Sequence, residues 1–470
     1  MKTKQRFLVF SLSLGALLIL FFAACDSDLG DINNSPNAVS ESNVQSVLGQ
    51  RAVLVGMQAA VGDWYSDERS RITSVWTMHM CAPSGLGRPQ PVSWNTYKMT
   101  RDEHVDRAWI QAYRVVKLAN NIIDNAGNVG FAPEIASTYL GIAKFYKALA
   151  LAENAAFYGS IPIDVQKTAG DPFPQFVSQQ VAYNTAQSLL TSAIADFTAA
   201  NVTAANTIPQ DLNFGGISAR WVGAAYSLKA RYYLHTSKAN AGDLALAITN
   251  ANSGLTSTVG VAVNSIYTLT AGEYAPWGHW SQTEAGEPLR TTKYFVDLLN
   301  SEPGDTRKAA YFAVKGGATA IVGFDVYGDL GGTGDELVTT RAAGLVKYRG
   351  YNASFPLISY QENLLIRAEA EGRVNGITAP ALADLNAIRT AAGLTSRVAG
   401  DFANTTAFLA EVLKQKYLQL HLEGQAYHDM RRATEYPLPR AGIPIRWIYG
   451  QSETLTNPNV PADPASNPLF

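Results

Sequence analysis

The chain has 470 residues, 47% of them hydrophobic and 16% charged, a composition that supports a large folded core organised as one or two domains. Its 37 basic and 39 acidic side chains give a formal net charge of −2. No basic field is left to hold nucleic acid.

In chain order, the first element is a basic leader with Lys2, Lys4 and Arg6, followed by an apolar run from Leu8 to Ala24 and then Cys25 directly after Ala23-Ala24. The run is shorter than the roughly 18 residues usual for a spanning helix, and no stop-transfer pattern follows it. Residues 1–24 therefore read as a secretory signal that is removed. A cysteine at that point looks like the lipobox of a bacterial lipoprotein, with Phe22 where an aliphatic residue is usual; a plain signal peptidase site is the alternative. The expectation is a diacylated Cys25 tethered to a membrane, since two acyl chains give the stable anchoring that one does not. Cys81 then has no partner in the chain and reads as a buried structural thiol, so stability must come from packing.

Residues 25–43, rich in Asn, Asp and Ser, suit a flexible tether, and a single body is expected from residue 44 to 470, beginning near Val44. Its dominant pattern is helical, in adjacent pairs. Asp102 to Asn125 carries Trp109, Tyr113 and Val116 at helical spacing, and Pro133 opens a second helix with Ile142, Phe145, Tyr146 and Leu149 on one face, stopped by Gly159. A second set runs from Gln179 to Ala200, then from Ser218 as N-cap through Trp221, Ala225, Leu228 and Tyr232, with a short helix after Gly242. In a third, Ser359 and Glu362 have capping-box spacing, Asn375-Gly376 gives a left-handed stop, Thr378 and Pro380 start the next helix and Gly393 ends it. One last long helix is predicted from about Asn404 to Ala433, with Val412, Leu413, Tyr417 and Leu420 inward. The fold class is mostly α, a tetratricopeptide-like superhelix of helix pairs without a strict ~34-residue period, and Trp109 and Trp221 read as core.

Residues 255–357 lose the helical period and form a loop-rich insert containing Tyr274, Trp277, His279 and Trp280. So long an irregular stretch in a compact protein points to function. A similar aromatic region, with Trp64, Tyr65, Trp76, Trp94 and Tyr97, lies near the N-terminus, and two such regions on a helical scaffold can face each other and make one pocket. Catalytic patterns are weak. Glu369 and Glu371, two apart on a helix, face different sides and do not flank one glycosidic bond. His421 and His428, seven apart on one helix face, lack the spacing of a zinc helix. Asp325, Asp329, Asp335 and Glu336 are the one calcium reading, but they lack the alternating EF-hand pattern and read as a solvated turn. No serine-nucleophile elbow or phosphate-cradling glycine motif precedes a suitable helix. No cofactor, metal site or catalytic residue is expected, and the chain does not read as an enzyme.

Several segments together resemble the SusD/RagB-like outer-membrane lipoproteins of nutrient uptake. They are Asn33-Asn34-Ser35-Pro36-Asn37, Trp109-x-x-x-Tyr113 with Ala119-Asn120-Asn121, and Lys144-Phe145-Tyr146-Lys147-Ala148 leading to Tyr158-Gly159-Ser160-Ile161-Pro162-Ile163. Asp305-Thr306-Arg307, Lys347-Tyr348, Leu364 to Ala370 and Leu385 to Leu394 follow in the family's order, and Leu422 to Arg432 is similar to its closing signature. Lys147 stands where the family has Arg, and Gln425 and Ala426 depart from the closing signature, which puts a local ion pair in doubt. The resemblance implies four helix pairs as scaffold, loop-rich elements holding the ligand site, and no catalysis. It further implies a lipid-anchored protein on the outer membrane, facing the cell exterior, that passes oligosaccharides or polysaccharide fragments to a SusC-like TonB-dependent transporter. Peptides are the alternative cargo, and a surface glycoside hydrolase is a further alternative. Sugar rings stack their C–H faces on aromatic side chains while polar groups meet their hydroxyls. On that ground Trp277 and Trp280, with Tyr274 and His279, then Trp94 and Tyr97, are the candidate ligand-binding residues; the other reading of each is a plug between loops and helices.

Overall fold

A computed structural model describes residues 41–82, 89–101, 103–165, 173–283, 289–313, 321, 323, 347–436, 442–462 and 469. The signal, Cys25, the tether through residue 40 and the Asp325–Glu336 cluster lie outside the described residues. The chain divides into two compact units, Met1–Gly49 and Gln50–Phe470. The described elements are, in order, α1 (Glu41–Val44), α2 (Val47–Tyr65), α3 (Glu68–Trp76), β1 (Met80–Cys81), α4 (Pro89–Trp94), α5 (Glu103–Asn125), α6 (Pro133–Tyr158), α7 (Gln179–Ala200), α8 (Ser218–Thr236) and α9 (Asp243–Asn252). Then come β2 (Ala262–Ser265), α10 (Pro276–Thr283), β3 (Arg290–Thr291), α11 (Lys293–Asn300), α12 (Arg307–Tyr311), β4 (Phe355–Ser359), α13 (Tyr360–Asn375), α14 (Ala379–Ala391), α15 (Thr405–Gln419), α16 (Gln425–Arg432) and α17 (Gln451–Thr456).

The helices stack in sequence. In the second unit α6 packs on α5 and α7, α8 on α7, α9 on α8, α13 on α9, and α14 and α15 on α13. This is the tetratricopeptide-like arrangement, and the caps set where each helix starts. Ser178, Ser359, Thr378 and Asn404 each accept a hydrogen bond from the backbone N–H three residues on. Trp221 is fully buried, stacked on Phe197 with ring centroids 5.6 Å apart, and its indole N–H donates to Asp211 Oδ2 at 2.7 Å. Trp109 is also buried. Cys81 is buried and forms no disulfide.

Four local expectations change. Ser218 is the first residue of α8 rather than its cap, because its hydroxyl accepts from Val202 N–H at 2.8 Å and ties α8 to the chain leaving α7. Only half of the capping box at Ser359 is used as such, since the Glu362 carboxylate pairs with Arg231 instead. The long last helix is two helices. Leu422 at φ +71° and Gly424 at φ +83° turn the chain between α15 and α16, a left-handed geometry that favours glycine. That turn separates His421, buried against Phe295 and Tyr311, from His428, buried beside Glu153, so the two do not share a helix face. Finally, the described part of 255–357 is built of short elements: β2 pairs antiparallel with β4, and β3 with β1.

The core holds charges as well as apolar groups. Glu153 of α6 is fully buried and meets Arg69 of α3 at 2.8 Å and Arg231 of α8 at 3.3 Å. Arg231 also makes a two-pronged pair with Glu362 of α13, both bonds 2.6 Å, and donates to Leu357 C=O. Burial alone would raise the Glu153 carboxyl, but Arg69, His428 and Arg231 hold it well below the usual carboxylate range. A second knot places Glu369 of α13 between Arg432 of α16, Lys416 of α15 and Arg373. Gln425 makes neutral bonds to His235 and Tyr65.

These groups predict the acid response. Burial lowers His428 from 6.5 to about 4 and His79 to about 3. In the unfolded chain both imidazoles take up protons near 6.5, so their share of stability is complete above that pH and declines as pH falls. Glu302, held at about 2 by Arg389 and Lys414 against its own desolvation, adds stability above about 4.5 that is lost as pH falls towards 2. The thermal midpoint should therefore decline from about pH 6.5 downward and more steeply below about 4.5; a flat profile from pH 7 to 5 would contradict the buried neutral imidazoles. Glu153→Ala, which strands the buried Arg69 guanidinium and takes one of two carboxylates from Arg231, should lower unfolding free energy by about 3–5 kcal/mol in urea titrations.

Candidate ligand-binding site

A cavity of about 590 Å³ opens where the N-terminal aromatic region meets the insert. One wall comes from the insert, with Ala271, Gly272, Tyr274, Pro276, His279 and Trp280. The other comes from the N-terminal region, with Pro91 and Trp94 of α4, Asp63 of α2, Glu68 and Arg71 of α3, Asp67 just before α3, and Arg107 of α5.

α10 carries three of the six candidate residues. Its start is pinned by Ala275 N–H donating to Tyr351 C=O at 2.6 Å. Gly278 lets the helix lie against the backbone at Arg349-Gly350, where an added Cβ would come 2.4 Å from Gly350 O. His279 is exposed and Trp280 half-buried, so both present ring surface to the cavity. Tyr274 is half-buried and stacked, with ring centroids 4.4 Å from Tyr351 and 5.9 Å from His279. Trp94 is almost wholly covered and offers only part of its ring. The Asn95 side chain fixes the loop after it, bonding both Ala82 N–H and Ala82 C=O.

The other two candidates sit behind the wall. Trp277 is 6% exposed, and its indole N–H donates to Ser70 Oγ of α3 at 2.9 Å. It meets Trp280 edge to face at 6.3 Å and so backs that ring rather than lining the cavity. Tyr97 occupies a left-handed position at φ +60° and turns its ring edge to Trp76, a core residue. Sequence reasoning missed the charged floor entirely. Asp67 Oδ1 meets Arg71 at 2.5 Å, Asp67 Oδ2 meets Arg107 at 3.1 Å, Glu68 lies 3.8 Å from Arg71, and Asp63 lies 3.4 Å from Arg107. Arg71 also sits over the Trp280 ring, 5.1 Å from its centroid. The available signal was the run Asp63-Trp64-Tyr65-Ser66-Asp67-Glu68-Arg69-Ser70-Arg71, in which charges at i, i+4 spacing sit among aromatics. Burial, then the neighbouring Asp67, raises the Asp63 carboxyl against the pull of Arg107.

A larger cavity of about 830 Å³ lies beside β2 and the turn after α15. Lys347 and Tyr348 both bond Glu423 there, at 3.0 and 2.7 Å. It draws no ring from the N-terminal region, so the smaller cavity is the better candidate for stacking on flat ligands. Among the described residues no cluster of three or more His, Cys, Asp or Glu is arranged to hold a metal, and no helix is long and apolar enough to cross a membrane.

With this geometry in view, residues 86–443 match the SusD-like family model described as starch-binding, associating with the outer membrane. The chain belongs to the SusD-like family. Solved structures share the fold at low identity. A SusD homologue from Bacteroides fragilis is 17% identical with a TM-score of 0.66, covering 87% of this chain and 93% of that one. A SusD/RagB family protein from Bacteroides thetaiotaomicron is 18% identical with a TM-score of 0.63, covering 87% and 94%. A chitin-binding protein is 16% identical with a TM-score of 0.62, covering 87% and 94%. A search of curated protein sequences gave no match. SusD-like proteins are nutrient-binding proteins associated with the outer membrane.

The two neighbouring tryptophans should separate by experiment. Trp277→Ala removes a buried ring and its bond to Ser70, and is expected to cost about 3–5 kcal/mol in urea unfolding. Trp280→Ala, at the cavity surface, is expected to cost less than half as much.

Proposed function

We propose that the protein captures oligosaccharides or polysaccharide fragments in the cavity between the N-terminal aromatic region and the insert, and delivers them to a SusC-like TonB-dependent transporter. The observation that carries this reading is the pairing of half-exposed rings at Tyr274 and Trp280, with His279, against a floor of hydrogen-bonding charges. Rings supply the stacking surface for sugar C–H faces, and carboxylate and guanidinium groups meet the hydroxyls. Tyr274, His279, Trp280 and Trp94 touch the ligand; Trp277 and Tyr97 hold the wall in place. The protein binds without turnover, since the four ion pairs of the floor engage each of its carboxylates with an arginine. Cys25 carries the lipid that keeps the body on the outer membrane, facing outward.

Calorimetric titration of the protein against a panel of oligosaccharides and peptides, with product analysis of each mixture, tests the reading. Saccharide binding without cleavage is the expected result, and Trp280→Ala should weaken it by at least about tenfold, the loss of ~1.4 kcal/mol or more that one stacked ring supplies. Binding to peptides alone would keep the carrier role and replace its cargo. Cleavage would overturn the non-enzymatic reading.

A further inference from the structure

We propose that the cavity selects uncharged oligosaccharides and discriminates against uronate- or sulfate-bearing ones, an inference that rests on the saccharide reading above. Among the described lining residues, three carboxylates, Asp63, Asp67 and Glu68, face two guanidiniums, Arg71 and Arg107, which leaves one negative charge in excess. Neither guanidinium is idle. Arg71 is buried between Asp67 at 2.5 Å and Glu68 at 3.8 Å, and Arg107 bridges Asp67 at 3.1 Å and Asp63 at 3.4 Å.

An anionic sugar is held well when its carboxylate or sulfate meets a guanidinium two-pronged. At buried Arg71 it would have to displace a carboxylate already in place, whereas at half-exposed Arg107, which holds Asp63 and Asp67 through one Nη, it would share the guanidinium with both carboxylates. At Arg71 the displaced partner would be Asp67 or Glu68, both about nine-tenths buried and therefore costly to leave unpaired. Without displacement, the anion approaches a wall with a negative excess, partly shielded from solvent. A neutral ring meets neither cost. Its hydroxyls donate to the outer lone pairs of Asp63 and Asp67 while the ion pairs stay intact, and its C–H face lies on Trp280, whose ring Arg71 steadies from 5.1 Å.

The test titrates the protein with hexasaccharides matched in length: malto-, cello-, xylo- and N-acetylchito-oligomers against galacturonate, mannuronate and sulfated oligomers, at low and high salt. At least one neutral oligomer should bind, every acidic one at least about tenfold more weakly, and the gap should narrow as salt screens the repulsion. Asp63→Asn, at a carboxylate about 40% exposed, should leave the fold intact and narrow the gap several-fold by freeing part of Arg107. Asp67→Asn, which removes one carboxylate partner from each guanidinium and leaves Arg71 with Glu68 and Arg107 with Asp63, should narrow it further. Equal or tighter binding of an acidic oligomer by the unaltered protein, or a gap that neither substitution moves, overturns the charge selection while leaving the saccharide reading intact. Failure of every saccharide to bind removes both.

Discussion

The pairing of Glu153 with Arg69 and Arg231 is the constraint on which much of the remaining structure depends. A carboxylate fully buried in the C-terminal part of α6 has no water to solvate it, so two arginines must reach it from α3 and α8, and Arg231 must in turn satisfy Glu362 of α13. Breaking any member leaves a charge stranded in the core, which costs far more than the intact set contributes. Four helices distant in sequence therefore have little freedom to slide. The same helix that delivers Arg69 inward presents Glu68 and Arg71 to the cavity, and its Ser70 hydroxyl oxygen accepts a hydrogen bond from the indole N–H of Trp277. The floor and the back wall of the candidate cavity are thus fixed by the core's electrostatics rather than by the insert alone, which is the preorganisation that the proposed stacking role requires.

Much of the scaffold was legible because it is written in local signals. Pro133, Ser178, Ser359, Thr378 and Asn404 mark helix starts through a missing donor or a short side-chain acceptor, and Gly159, Gly376 and Gly393 mark ends through left-handed backbone. The turn between α15 and α16 was hidden because the apolar period continues through it; Gly424 hinted at a break, but nothing about Leu422 announces φ +71°. The buried charges were invisible for another reason. Arg231 and Glu362 are 131 positions apart, and each taken alone looks like an ordinary solvated helix residue. Only the fold supplies their partners.

The site was legible as a place more than as a set of side chains. Trp277 and Trp280 are three apart and so lie on neighbouring positions of one helix face, which makes them indistinguishable by period. What separates them is long-range. Ser70 offers an acceptor deep behind the wall, and the close approach of Gly278 to Gly350 tips α10 so that Trp277 enters it while Trp280 stays at the surface. Tyr97 was misleading in the same way, since its left-handed backbone sends the ring towards Trp76.

Scaffold and specificity also occupy different residues. The motif segments that tie this chain to its family, such as Leu364 to Ala370 and Leu422 to Arg432, hold Glu369, Asp429 and Arg432, which lock α13 to α16. Asp63, Asp67, Arg71 and Arg107 lie outside those segments, on helix ends and faces that border the cavity. Exchanging them alters the field that a ligand meets without unpairing anything in the Glu153 set. At 16 to 18% identity to the solved structures the fold persists, and in this chain the charges that hold it together are not the charges that line the cavity.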